Sequence, residues 1–450
     1  MTMVTRHRGR REDERLVTGR GRFTADHAFE DETHGHFVRS DRAHALLRSI
    51  EIGTASAMPG VRLILLAADM ERAGVRPAPP TPAPAGAGTM LIRSPASGVF
   101  ASAKVTYVGQ PIALVVAATA RLAQDAAETV AVNYQELPAV VDVATAMRPD
   151  APLVDADIPG NLCFDYEYGD REATAAAFDG AAHVTRVRLE SQRLIGNPLE
   201  PKACIARYDA QTGCFDIHCP HQGLSMIRDQ FALGMGVSPD RIRIHANDVG
   251  GGFGVRIEAY REYLALAEAA RRLGQPVKWI GSRSETMVSD FHGRGVVLFG
   301  ELALAADGRF LAIRHRWLVD AGAHPSMSGA LVTTLAPSAY LVGPYRTPLI
   351  HGRHQVVLTN TVPTTPYRGS ARPSVAYVIE RLVDQAAKEM GIDRIDLRRF
   401  NLLSRSAFPY RTPVGSLYDS GDWPAAGLVD TEIRFSNPIG GFHAAPGIQP

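Results

Sequence analysis

"DVGGGFGVRIEAY", residues Asp248–Tyr260, decides how this chain is read. Three consecutive glycines, a phenylalanine and a fourth glycine follow "DRIRIHAND", where Ile242 and Ile244 alternate with Arg241, Arg243 and His245 as in a half-buried strand. They precede "IEAYREYLALAEAARRLG", in which Ile257, Tyr260, Leu264 and Ala267 keep helical spacing. The expected order is strand, glycine loop, helix. Glycine permits positive φ and close approach, and the first amides of a helix have no internal partners. Such a loop suits an anion or a metal-oxo ligand. The plain alternative is a tight turn whose glycines serve packing only. A dinucleotide fingerprint fits poorly: counting from Gly250, the third position is Gly252 but the sixth is Val255, and "LGQPVKWIG" places no acid about 20 residues on.

A second loop follows the same logic. In "TPYRGSARPSV", Thr365–Val375, Arg368 and Arg372 flank Gly369 just before Pro373, a residue suited to a helix start. Val375, Ile379, Leu382, Ala386 and Met390 then run at helical spacing to a stop at Gly391. Two arginines beside free helix amides suit a phosphate or another anion. A surface turn with solvated arginines is the plain alternative.

The rest of the chain sets bounds. At 450 residues it is too long for one ordinary core, and 45% hydrophobic with 21% charged residues is a globular composition. With 48 basic against 47 acidic residues, no global charge points to nucleic acid or an anionic membrane surface. The apolar runs "VRLILLAADM" and "IALVVAATA" are too short to span a bilayer. Glu12, Asp13 and Glu14 follow Arg10 and Arg11 where an export signal needs apolar residues, so a cytoplasmic chain is expected. Cys163, Cys204, Cys214 and Cys219 are too few for a disulfide framework. Cys214 and Cys219, with His218 and His221, match no common zinc or iron-sulfur spacing, so no metal ligand is assigned.

Strand and helix signals mix without a βαβ period, which predicts an α+β fold. The expected organisation is a charged, mobile tail over residues 1–15, a first unit over 16–148, a second over 150–423 and a divergent tail over 424–450. "RPAPPTPAPAGAG", from Arg76, is expected to be a surface excursion, since proline lacks a donor and fixes its dihedral.

Taken together the two loops resemble those of the large, molybdopterin-binding subunit of the xanthine dehydrogenase, aldehyde oxidase and carbon monoxide dehydrogenase family, the molybdenum hydroxylases. "RLVTGRGRFTAD", "VRSDRAHA", "PGV" and "VTYVGQPIALVVA" are similar, in order, to its a/b hammerhead domain. "LEPKACIARYD", "GGGFG", "RLGQPVKW" and "PYRGSARP" with the following helix are similar to its first molybdopterin-binding region. The resemblance implies that Gly251, Gly252, Phe253 and Gly254 lie against a molybdenum-molybdopterin cofactor, expected in its cytosine dinucleotide form. It likewise implies that Gln222 bonds the metal's oxo group and that Tyr367, Arg368 and Gly369 flank the cofactor. The implied chemistry is hydroxylation of an aldehyde or N-heterocycle with water as the oxygen source. The implied partners are a [2Fe-2S] small subunit and an FAD-binding medium subunit, because this chain has no cysteine pattern for the clusters.

The sequence also departs from that family. Copper-containing carbon monoxide dehydrogenases have a cysteine where Gly369 stands. Xanthine-oxidising members have a glutamate where Ile257 stands; Glu258 is one step along, about 100° away if the segment is helical. Family large subunits continue well beyond this length, and no glycine-glutamate motif for their general base occurs here, so no catalytic residue is assigned. Two readings follow: a C-terminally truncated half-subunit completed by a second polypeptide, or an inactive remnant or interaction subunit of the same fold.

Overall fold

The computed structural model describes residues 9–80, 93–329 and 338–422. The tail expected over 424–450 and most of the proline-rich stretch from Arg76 lie outside the described residues. Of the tail expected over 1–15, residues 1–8 lie outside them too. Asp13–Val17 are helical, and the Arg15 guanidinium meets Asp248 at 2.7 Å (Nη2 to Oδ1). The Arg22 amide donates to the same carboxylate at 2.6 Å. The chain is thus held from Arg15 onward by a charge in the glycine segment.

The architecture is mixed α and β. A seven-stranded sheet runs, edge to edge, through Ile242–His245, Cys214–His218, Ala203–Asp209, Val277–Ile280, Thr33–Arg39, Pro111–Ala117 and Val61–Leu65. The two regions that the sequence separates near residue 148 therefore share one sheet. The join is a parallel pairing in which Thr33 faces Val277 and His34 faces Lys278. Pro111–Ala117 is buried at every residue, as a strand flanked on both edges and covered on both faces must be. A five-stranded sheet, Leu162–Gly169, Leu349–Leu358, Phe310–Gly322, Val296–Leu304 and His183–Ser191, forms the second layer system. The helix Arg372–Met390 packs across its last two strands, opens with Pro373 in its first turn and closes at Gly391 in the left-handed region.

The helix Arg261–Leu273 lies at the centre. Ten consecutive residues, Arg261–Ala270, are buried. A helix buried all round has no solvated face on which to put charge, so its charges must be paired. Glu262 lies 3.0 Å from Lys202 and 2.9 Å from Arg39, which also holds Glu285 at 2.8 Å. Burial raises the Glu262 carboxyl, and Lys202 and Arg39 more than reverse that, bringing it down to about 2.

Just before this helix, Arg256 and Asp290 form an ion pair with both side chains fully buried, through Nη1 contacts of 2.7 and 2.9 Å. Asp290→Ala leaves a buried guanidinium unpaired and is expected to cost roughly 3–5 kcal/mol in urea unfolding, most of it recovered in the double variant R256M/D290L. Glu262 supplies a pH signature. Its folded value lies below the ordinary 4.5, so its contribution is complete above that value and is lost as pH falls toward about 2. The urea midpoint should fall across that window, and Glu262→Gln should flatten this part of the pH profile.

Candidate functional site

The glycine segment does not lead straight into a helix. The helix starts at Arg261, with Tyr260 as its N-cap, so Ile257 lies outside it. Residues 254–260 are instead held by side chains from elsewhere. The Gln222 Oε1 accepts from the Gly254 amide at 2.8 Å and the Arg256 amide at 3.4 Å, and the Gln222 amide donates to the Arg256 carbonyl at 3.0 Å. Gln230 accepts from the Ala259 amide at 2.7 Å and donates to the Ile257 carbonyl at 3.4 Å. The Tyr260 hydroxyl lies 2.8 Å from the Val255 carbonyl and 2.6 Å from Asp290 Oδ1. Backbone groups satisfied in this way have no need of a helical turn. This corrects the expectation that free helix amides follow the glycines, and with it the helical rotation argument applied to Glu258.

What comes close to the bare backbone is first of all the protein. A Cβ on Gly252 would stand 2.4 Å from the Gln222 side chain. One on Gly254, whose φ is +100°, would stand 2.1 Å from the Pro366 carbonyl oxygen. Gly251 is also left-handed, at φ +112°. Phe253, between them, is held at φ +52° and is 37% exposed. A phenylalanine in that region is strained, and it persists because both neighbours are clamped.

The arginine loop is pressed against this segment. The Arg368 amide donates to the Phe253 carbonyl at 2.8 Å, joining the two loops through their main chains. Gly369 and Ser370 follow at φ +84° and +58°, and the helix begins at Arg372. Gln222, Gly251, Gly252, Phe253, Gly254, Tyr367, Arg368 and Gly369 therefore make one patch.

Arg294 is a member that the sequence reading missed. Its guanidinium donates to the carbonyls of Tyr367 (3.1 Å), Arg368 (2.9 Å) and Ser370, and its carbon lies 5.1 Å from the centre of the Tyr367 ring. The available signal was "HGRGV": Gly293 and Gly295 flank it, and a Cβ on Gly293 would stand 2.2 Å from that of Tyr367. Glu200 is a second. It accepts from the Gly250 amide at 2.7 Å and the Thr24 amide at 3.1 Å.

The charge of the patch is positive and comes from arginine. Burial pushes His221 and His292 down to about 4, with Arg193 adding to the effect at His292, so both are neutral near pH 7. Arg372 lies over the Tyr340 ring at 4.8 Å. The Arg368 guanidinium is exposed and has no partner among the described residues, and the Gln222 Nε2 has none either. An unengaged cation, an unengaged amide donor and an exposed aromatic ring, all set on strained and clamped backbone, fit a bulky anionic group with hydrogen-bond acceptors. The cysteines offer nothing comparable. All four are buried and free, and burial pushes Cys163 and Cys219 up to about 12.

Two families match the chain. The family described as "Molybdopterin cofactor-binding domain" matches residues 154–402. The "Aldehyde oxidase and xanthine dehydrogenase, a/b hammerhead domain" matches residues 18–138. The carbon monoxide dehydrogenase large chain of Afipia carboxidovorans is 34% identical, over 93% of this chain and 52% of that protein. The crystal structure of quinoline 2-oxidoreductase from Pseudomonas putida 86 superposes with a TM-score of 0.85 at 30% identity, covering 92% of this chain and 52% of that one. This chain thus spans about half the length of those relatives. The nicotinate dehydrogenase large molybdopterin subunit of Eubacterium barkeri is 26% identical, over 86% of both chains. No helix among the described residues is long and apolar enough to cross a membrane.

The docking of the two loops can be tested directly. Gly254→Ala sets a methyl group against the Pro366 carbonyl and is expected to part the loops. The expected readouts are a destabilisation of at least about 1–3 kcal/mol and faster tryptic cleavage at Arg368 in limited proteolysis.

Proposed function

Because the chain belongs to the molybdopterin cofactor-binding family, we propose that it is the cofactor-holding component of a hydroxylase acting on an aldehyde or an N-heterocycle. The observation that carries this reading is the junction between the loops, where Gln222 Nε2 and the Arg368 guanidinium stand unengaged beside the exposed ring of Phe253. The cofactor would supply the redox chemistry of hydroxylation, with water as the oxygen source. The protein supplies position. Gln222, its oxygen fixed by the Gly254 amide, offers its Nε2 to an acceptor on the group. Arg368 balances negative charge, and Arg294 keeps the loop that carries it in place through three carbonyls. Phe253 offers an apolar edge that excludes water from one side.

On the same reading the cofactor is the cytosine dinucleotide form, and its electrons leave through a [2Fe-2S] small subunit and an FAD-binding medium subunit. The exposed Phe253 and Arg368 leave room for further contacts from protein outside the described residues, where the general-base glutamate is expected. Gly369 has no thiolate to offer copper, which argues against copper-dependent oxidation of carbon monoxide. Four free, buried cysteines suit a reducing compartment, and the cytoplasm is the proposed location.

The test is metal and pterin analysis of the purified chain, alone and co-expressed with the product of any neighbouring gene. Molybdenum is expected in at least one of the two, and Arg368→Ala should lower its content about tenfold with an unchanged circular dichroism spectrum. Absence of molybdenum from both preparations would leave the inactive remnant as the better reading.

A further inference from the structure

Next to the loops lies a separate cavity of about 280 Å³, lined in part by Gln230, Glu258, Arg261, Phe291, His324 and Met327. Arg261 is only 6% exposed. Its guanidinium donates to the Gly98 carbonyl at 3.0 Å and to His324 Nε2 at 2.5 Å. His324 Nδ1 faces the Pro325 carbonyl at 3.1 Å and must carry the proton there, which leaves Nε2 as an acceptor. Burial, with Arg261 adding to it, pushes His324 well below its ordinary value, so the ring is neutral. The charge on Arg261 therefore meets no anion among the described residues.

Glu258 is the counterpart. It is 5% exposed, and its oxygens accept from the amides of Met327 (3.2 Å) and Ser328 (3.0 Å), from the Ser328 hydroxyl (2.6 Å) and from the Thr365 hydroxyl (3.2 Å). All four donors are neutral, and no cation pairs with it among the described residues. Elsewhere in the interior opposite charges are spent on each other, as in Arg256 with Asp290 and in Lys202 and Arg39 with Glu262. Two buried charges of opposite sign that line one cavity without pairing are costly unless something else completes them.

We infer that this cavity binds a small single-ring molecule carrying a carboxylate, which Arg261 receives, and a ring N–H, which Glu258 receives. The size agrees. A cavity of about 150 Å³ admits benzene, so this one admits a ring with substituents. Phe291 and Met327 supply an apolar wall. Glu258 reaches Thr365, three residues before Arg368, so the ligand would lie beside the candidate cofactor site. That this ligand is the substrate rests on the proposed function; that it binds does not.

Calorimetric titration of the purified, cofactor-free chain tests the inference with three probes: imidazole-4-carboxylate, 3-furoate (carboxylate only) and imidazole (N–H only). The expected result is that imidazole-4-carboxylate binds about tenfold or more tighter than either single-function probe. Arg261→Gln should weaken both carboxylates and spare imidazole, while Arg261→Lys keeps carboxylate binding. Glu258→Gln should reduce imidazole-4-carboxylate to the level of 3-furoate. Thermal unfolding checks that each variant folds, and if the glutamine variants do not, the probe ranking on the wild-type chain decides. Equal affinity for all three probes, no binding below ~10 mM, or equal losses for every probe in both variants would overturn it. The expected probe ranking, together with molybdenum absent from the chain both alone and co-expressed, would refute the proposed function and leave the pocket standing.

Discussion

The Arg256–Asp290 pair is the constraint on which the site depends. Both side chains are fully buried, and Asp290 also takes the Tyr260 hydroxyl. The pair therefore ties the segment after the glycines to the end of the Arg283–Ser289 helix and, through Tyr260, to the start of the central helix. In a low-dielectric interior such a pair gains little net stability over apolar packing, but it tolerates few alternative arrangements. Its contribution here is register: it sets where the irregular stretch ends and the helix begins, and so where Phe253 stands.

From that anchor outward the two loops are held by their main chains. Phe253 and Arg368 meet carbonyl to amide, Gln222 caps the Gly254 amide, and Arg294 gathers three carbonyls of the second loop. Main-chain contacts of this kind leave side chains free to face a ligand, and the unengaged groups are the ones suited to an anion. The neighbouring cavity follows the opposite plan. There the side chains carry the chemistry, and the two buried charges are kept apart by neutral partners of their own.

Much of the fold was legible in the sequence where local signals agreed. Arg372–Met390 reads as a helix from its spacing, its proline and its glycine, and all three serve the roles that the pattern assigns. Ile242–His245 reads as a half-buried strand and is one. The stretch 255–260 misled for a physical reason. Its composition favours a helix, but Gln222 and Gln230 supply partners for its backbone from about 30 residues away, and no local pattern records that. The glycines were legible as a demand for bare backbone, but what demanded it was the Gln222 side chain and the Pro366 carbonyl.

By itself, then, the sequence determined the mixed α and β class, the position of the two loops and the family to which their motifs belong. Short-range spacing and the steric demands of glycine and proline are written residue by residue. Only the tertiary structure decided that the two regions share a seven-stranded sheet, that Arg294 and Glu200 hold the loops, and that Glu258 and Arg261 face one cavity unpaired. Those facts depend on which distant groups arrive next to one another. Burial turns an ordinary arginine or glutamate into a charge that must be answered, and burial belongs to the folded chain alone.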